Sequence, residues 1–132
     1  MTSLIVAAIA VIAAAAQPGD FADRHALVLE RVLRGGPPRY TVDFVVADAV
    51  PRHGRRCTEF SGDVSGRYLE ALAVASRESG QAFPQIDAVV NEVVAHQQAD
   101  GHFGGPFGDG PITRTHMAIL WGNGRLLVGL TE

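Results

Sequence analysis

Ile86, Val89, Val90, Val93 and Val94 recur at i, i+3, i+4, i+7 and i+8. That spacing lines one face of an α-helix with hydrocarbon and commits the middle of the chain to a helix with a buried stripe. Pro84 suits the first helical turn, where its missing N–H is no loss, and Gly101 suits a position just past a helix end. Gln97 continues the stripe, which places an amide on an apolar face; such a group requires a hydrogen-bond partner. Two readings follow: Gln97 ties down the turn Gln97-Gln98-Ala99-Asp100-Gly101, or it faces a ligand cavity.

The same punctuation divides the rest of the chain into helical stretches. Residues 21–33 place Val28, Leu29, Val32 and Leu33 on one face and stop at Gly35-Gly36-Pro37-Pro38, a strong breaker. Asp63 is the expected N-cap of a helix over residues 64–79, ended by Gly80. Its face of Val64, Tyr68, Leu72 and Ala75 is broadened by Leu69, Ala73 and Val74. Residues 41–50 are ambiguous: Thr41 suits the cap of a short helix, whereas Val42, Phe44 and Val46 alternate as in a strand. Residues 51–56 form a polar, basic connector. In the last segment, Gly122-Asn123-Gly124 sits between Met117-Ala118-Ile119-Leu120-Trp121 and Leu126-Leu127-Val128. Asn-Gly between apolar runs signals a hairpin; a helix would carry two internal glycines at about 1 kcal/mol each relative to Ala.

With 132 residues, 47% hydrophobic content and a net charge of -3, the chain has the composition of an ordinary globular domain. All 11 basic residues are arginine, and they are scattered. No basic stripe for nucleic acid forms. Residues 4–16 are an apolar run ending in small residues before Gln17-Pro18-Gly19, the pattern of a secretory h-region cleaved near Ala16. The run is too short to span a bilayer, which takes about 20 residues. The expected organisation is therefore a signal peptide over residues 1–16 and one helical unit over 17–132, secreted or periplasmic. The single cysteine, Cys57, has no internal disulfide partner.

Motif by motif, other chemistries fall away. His53 with Cys57, and His96 with His102, do not complete a four-ligand structural zinc set. Asp63, Asp100 and Asp109 are carboxylates that capping or turn formation explains, not a matched pair across a cleft. The glycine-rich residues 101–110 lack the Lys-Ser/Thr ending of a phosphate loop. Phe103 and Phe107 either anchor that loop to the core or stack on a sugar ring.

One ordered set remains: Ser61-Gly62-Asp63-Val64-Ser65-Gly66-Arg67-Tyr68-Leu69-Glu70-Ala71, then Gln97-Gln98-Ala99-Asp100-Gly101, then His116 with Gly122 six residues on. From about Arg31 onward, this order resembles the N-terminal part of the glycoside hydrolase family 127 catalytic domain, typified by bacterial β-L-arabinofuranosidases. The resemblance implies an all-α fold, a partial (α/α)6 barrel, in which residues 117–130 are an inner helix and not a hairpin. It implies a carbohydrate substrate, with His116, Asp63, Gln97 and Asp100 as substrate-binding positions. Asn123 departs from the pattern, since many relatives carry a histidine there.

The family's retaining chemistry uses a cysteine thiolate held on zinc by further cysteines and a glutamate, with another glutamate for proton transfer. Those residues lie downstream of the region this chain matches. No catalytic residue, metal ligand or cofactor is therefore expected here; zinc belongs to a full-length parent. Alone, the chain is expected to be inactive and to self-associate through exposed apolar helix faces. The alternatives are a non-catalytic helical carbohydrate-binding or interaction module, and another α/α-toroid enzyme such as a cyclase or lyase sharing the Gln-x-x-Asp-Gly turn.

Overall fold

In a computed structural model of the chain, residues 19–37, 39–50 and 59–132 are described. The proposed signal peptide, the connector over 51–56, His53 and Cys57 lie outside them. The described residues are helical and contain no strand: α1 (Phe21–Leu33), α2 (Val42–Val45) followed by a 3-10 turn (Val46–Asp48), α3 (Asp63–Ser79), α4 (Pro84–Val94) and α5 (Arg114–Thr131).

Two readings the sequence left balanced resolve as helix, and one expectation is corrected. Residues 42–48 form α2 and its 3-10 turn, because Thr41 Oγ1 accepts the Phe44 N–H and starts a helix before any strand can extend. Gly122-Asn123-Gly124 lies inside one continuous helix, α5, which begins three residues before Met117. The correction concerns the start of α3. Asp63 is its first helical residue, and the N-cap is Gly62 at φ 105°, a left-handed conformation that glycine adopts without steric cost. The capping carboxylate arrives from elsewhere: Asp48, 1% exposed, accepts the Val64 N–H at 2.6 Å, the Ser65 N–H at 3.4 Å and the Ser65 hydroxyl at 2.6 Å. A distant side chain thus does what the local one was expected to do.

Glycine sets the packing of α3 on α5, the most extensive helix contact. A methyl group on Gly62 would come within 2.8 Å of the Gly122 carbonyl and Leu126 Cβ. A side chain on Gly66 would collide with the Arg125 peptide, and one on Gly129 with the Gly66 carbonyl. Backbone therefore meets backbone, and the roughly 1 kcal/mol helix-propensity cost of Gly66 and of Gly129 is offset by dispersion across the seam. Residue numbers rise together along this seam: Gly62 meets Gly122, Gly66 meets Gly129, and Arg77 pairs with Glu132 at 2.9 Å. Hence α3 and α5 run parallel. Helix α4 runs back beside α3, against α2 and its 3-10 turn, since Gly80 to Phe83 turns the chain at one end and Gly104 packs on Ser61 at the other.

The core lies where α2, its 3-10 turn, α3, α4 and α5 converge. Val45, Val46, Val50, Leu69, Leu72, Val89, Val93 and Leu126 are fully buried, each contributing about 1.5–3 kcal/mol by removal from water. The α4 stripe is borne out at Val89 and Val93, with Ile86 and Val90 at its margin and Val94 outside. Helix α1 is peripheral; it leans on the core through Leu29, Val32 and Leu33 and buries no residue completely.

Candidate functional site

The connection from α4 to α5 folds around a chain of four side chains. Helix α4 ends at Val94, so Gln97 leaves the stripe. It is exposed, and its Nε2 donates to the Gly101 carbonyl at 2.8 Å, closing the turn. Next, Asp100 Oδ1 accepts the His102 backbone N–H at 3.2 Å and faces His102 Nδ1 at 2.5 Å. Those two bonds, the ring first, hold the Asp100 carboxyl below the usual carboxylate range. His102 Nε2 is taken by the Gly105 carbonyl at 2.8 Å. Phe107 then sits edge-on to His102, with centroids 5.5 Å apart, and stacks on His116 at 5.2 Å.

His116 closes the series and starts α5. Its Nδ1 accepts the Thr113 N–H at 2.9 Å while Thr113 Oγ1 accepts the His116 N–H, a reciprocal capping box with histidine in place of the usual glutamate. Its Nε2 donates to the Gly108 carbonyl at 3.2 Å. Both ring nitrogens are engaged with the chain itself.

Asp63 stands apart from this series. Its carboxylate accepts from Arg67 Nε at 3.1 Å and from the Trp121 indole N–H at 3.3 Å, joining the first turn of α3 to the side of α5. The exposed Trp121 ring is thereby held in one orientation. Near this junction α5 projects past α3, because Gly122 is already level with Phe60 and Ser61 while α5 begins eight residues earlier, about 12 Å along its axis. Between the projecting turns and the segment entering α3 lies an open cleft of about 370 Å³, lined by Glu59, Phe60, Arg114, Thr115 and Ala118. A half-exposed aromatic ring, a carboxylate, a guanidinium and a hydroxyl line a space at the small end of ligand pockets.

Asn123 ties α5 to the segments on either side of it. Its Nδ2 reaches the carbonyls of Ser61 at 3.0 Å, Phe103 at 3.1 Å and Ile119 at 3.0 Å, and its Oδ1 accepts the Phe103 N–H at 2.7 Å. Of the four residues expected to bind substrate, Asp100 and His116 are joined through His102 and Phe107, Gln97 closes the same turn, and Asp63 lies with Trp121. Sequence reasoning passed over Glu59, Phe60, Arg114 and Trp121. The isolated exposed aromatic at Trp121, inside a glycine-bearing helix, was the signal available.

Among the described residues, no group of three or more His, Cys, Asp or Glu side chains is placed to hold a metal ion, so no step through zinc follows from them. No described helix is long and apolar enough to cross a membrane. Comparison with known proteins finds no matching family model, no matching curated protein and no matching solved structure.

Proposed function

We propose that the chain is the opening part of an exported, retaining glycoside hydrolase of the arabinofuranosidase-like kind that its sequence resembles, acting on plant-type or bacterial glycans. Its helices are the first staves of an (α/α)6 barrel. The observation that carries this reading is the arrangement of α3 and α5 as parallel, touching neighbours, with α4, the helix that joins them in sequence, packed on α3. A toroid of paired helices repeats that unit, inner helices side by side and outer ones antiparallel to them. The starts of α3 and α5 then face the sugar, where Phe60 offers a stacking ring and Glu59, Arg114 and Thr115 offer hydrogen bonds to hydroxyls.

In this reading the chain contributes sugar contacts and no reacting group. Titration calorimetry of the 132-residue protein with methyl α- and β-L-arabinofuranosides tests it. Weak, saturable binding of either anomer, abolished by Phe60→Ala and by Arg114→Ala with no hydrolysis on addition of zinc, is the expected result. Absence of binding, or binding indifferent to both substitutions, overturns the sugar site. Zinc-dependent sugar release overturns the assignment of catalysis to residues beyond this chain.

A further inference from the structure

Where α1 ends, the molecule holds an open cavity of about 360 Å³ that shares no residue with the cleft at the starts of α3 and α5. Leu33, Arg34, Arg39, Tyr40, Thr41 and Gln85 line it, so the last turn of α1, the segment entering α2 and the first turn of α4 meet there. Its charge is one-sided. The cleft sets Glu59 against Arg114, and elsewhere Arg24, Arg67, Arg77 and Arg125 each face a carboxylate. Arg34 and Arg39 have no ion pair among the described residues, and no acidic side chain lines this cavity with them. Two guanidiniums beside one space repel each other until an anion lies between them.

The uncharged lining adds a fixed wall and a hydrogen-bond pattern. Phe44 lies edge-on to Tyr40 at 5.6 Å, Tyr68 stacks on it at 6.1 Å and the Arg31 guanidinium sits 5.0 Å from its ring centroid. The ring therefore holds its place when a ligand enters, and no ordering cost falls on binding. Thr41 Oγ1 accepts the Phe44 N–H at 3.2 Å, which leaves the hydroxyl proton to donate. Gln85 Oε1 is buried and has no hydrogen-bond partner among the described residues. A buried acceptor in that state is costly, and a donor carried in by a ligand removes the cost.

We propose that this cavity binds a small hydroxylated oxyanion, a sugar acid or a sugar phosphate, with the anionic group between Arg34 and Arg39 and a hydroxyl donating to Gln85 Oε1. Guanidinium forks match carboxylate and phosphoryl oxygens alike, two parallel N–H donors to two oxygens. The volume, at the small end of ligand pockets, suits one ring and its charged substituent. The site is independent of the arabinofuranoside reading, whose neutral ligands have no group for the two arginines.

Titration calorimetry of the 132-residue protein with glucuronate, glucose 6-phosphate, glucose and acetate tests the proposal. Saturable binding of one or both sugar anions is expected, weakening as salt is raised, with glucose silent and acetate weaker than glucuronate. Binding of glucuronate alone makes the site a carboxylate site, and binding of glucose 6-phosphate alone makes it a phosphate site. Arg34→Gln with Arg39→Gln should weaken binding about tenfold or more, and the fold should survive, since both side chains are exposed. Arg24→Gln, which removes another exposed guanidinium of α1, should leave binding unchanged. Gln85→Leu should erase the advantage of glucuronate over acetate. No saturable binding of either sugar anion, glucose bound as tightly as glucuronate, or a loss in Arg24→Gln equal to that in the double variant overturns the proposal.

Discussion

Asn123 grips Phe103 by both polar groups of its backbone, accepting the N–H at 2.7 Å and donating to the carbonyl at 3.1 Å. The pair is separated by 20 residues, and the same amide also holds the Ser61 carbonyl. A buried loop residue is thus satisfied by a helix side chain as it would be in a ladder of strands.

Asn123→Ala should therefore leave the Phe103 N–H without its partner and cost about 2 kcal/mol. Hydrogen exchange at the Phe103 amide should accelerate well before exchange in α4. Asn123→Asp should fare no better, because it keeps the acceptor and loses the donors that reach three carbonyls.

Asp48 fastens the start of α3 from outside the helix. Asp48→Ala should lower stability to urea by about 2 kcal/mol, by stranding two backbone N–H groups and a hydroxyl. Burial pushes the Asp48 carboxyl above its ordinary value of 3.8, against the pull of its bonds to Ser65 and Val64. A raised folded value means that the protonated form is favoured on folding. The contribution is fully present below pH 3.8 and is lost as pH rises through the higher folded value. Asp48→Asn keeps an acceptor without the charge, so its stability profile should be flatter than that of the parent from pH 3.8 toward neutrality, and its loss smaller than that of Asp48→Ala.

The glycine seam gives the clearest steric prediction. Gly66→Ala and Gly129→Ala should each cost about 1–3 kcal/mol by forcing two backbones apart, despite the gain in helix propensity. Gly36→Ala, with nothing within 4 Å, should change the urea midpoint by no more than about 0.5 kcal/mol in free energy.

His116 is both a capping residue and an expected sugar contact. His116→Ala should cost about 1 kcal/mol through loss of the box with Thr113. If capping is its whole role, arabinofuranoside titration of the variant will match the parent below the melting transition.

Local chemistry made α4 legible: the stripe at Val89 and Val93 and the proline at its first position act within a few residues of one another. The Thr41 cap was legible for the same reason. The start of α3 was not, because the decisive contact joins Asp48 to Ser65 across 17 residues, and a carboxylate inside Val45-Val46-Ala47-Asp48-Ala49-Val50 was the only hint. Gly122-Asn123-Gly124 satisfies hairpin and helix rules equally; packing of Gly122 under Phe60 and Ser61 decides between them, and no window of sequence contains that fact. Asp100 and His116 were picked out singly, whereas their connection through His102 and Phe107 depends on how residues 95–113 fold back.

The contact of Gly66 with Gly129 has a mechanical corollary. Where side chains separate two helices, rotamer changes let one slide past the other; here peptide presses on peptide and nothing can swing aside. The two rods have no shear coordinate, so a push on the projecting turns of α5 tilts α3 with it, and the cleft at their starts keeps its width when the surrounding loops move.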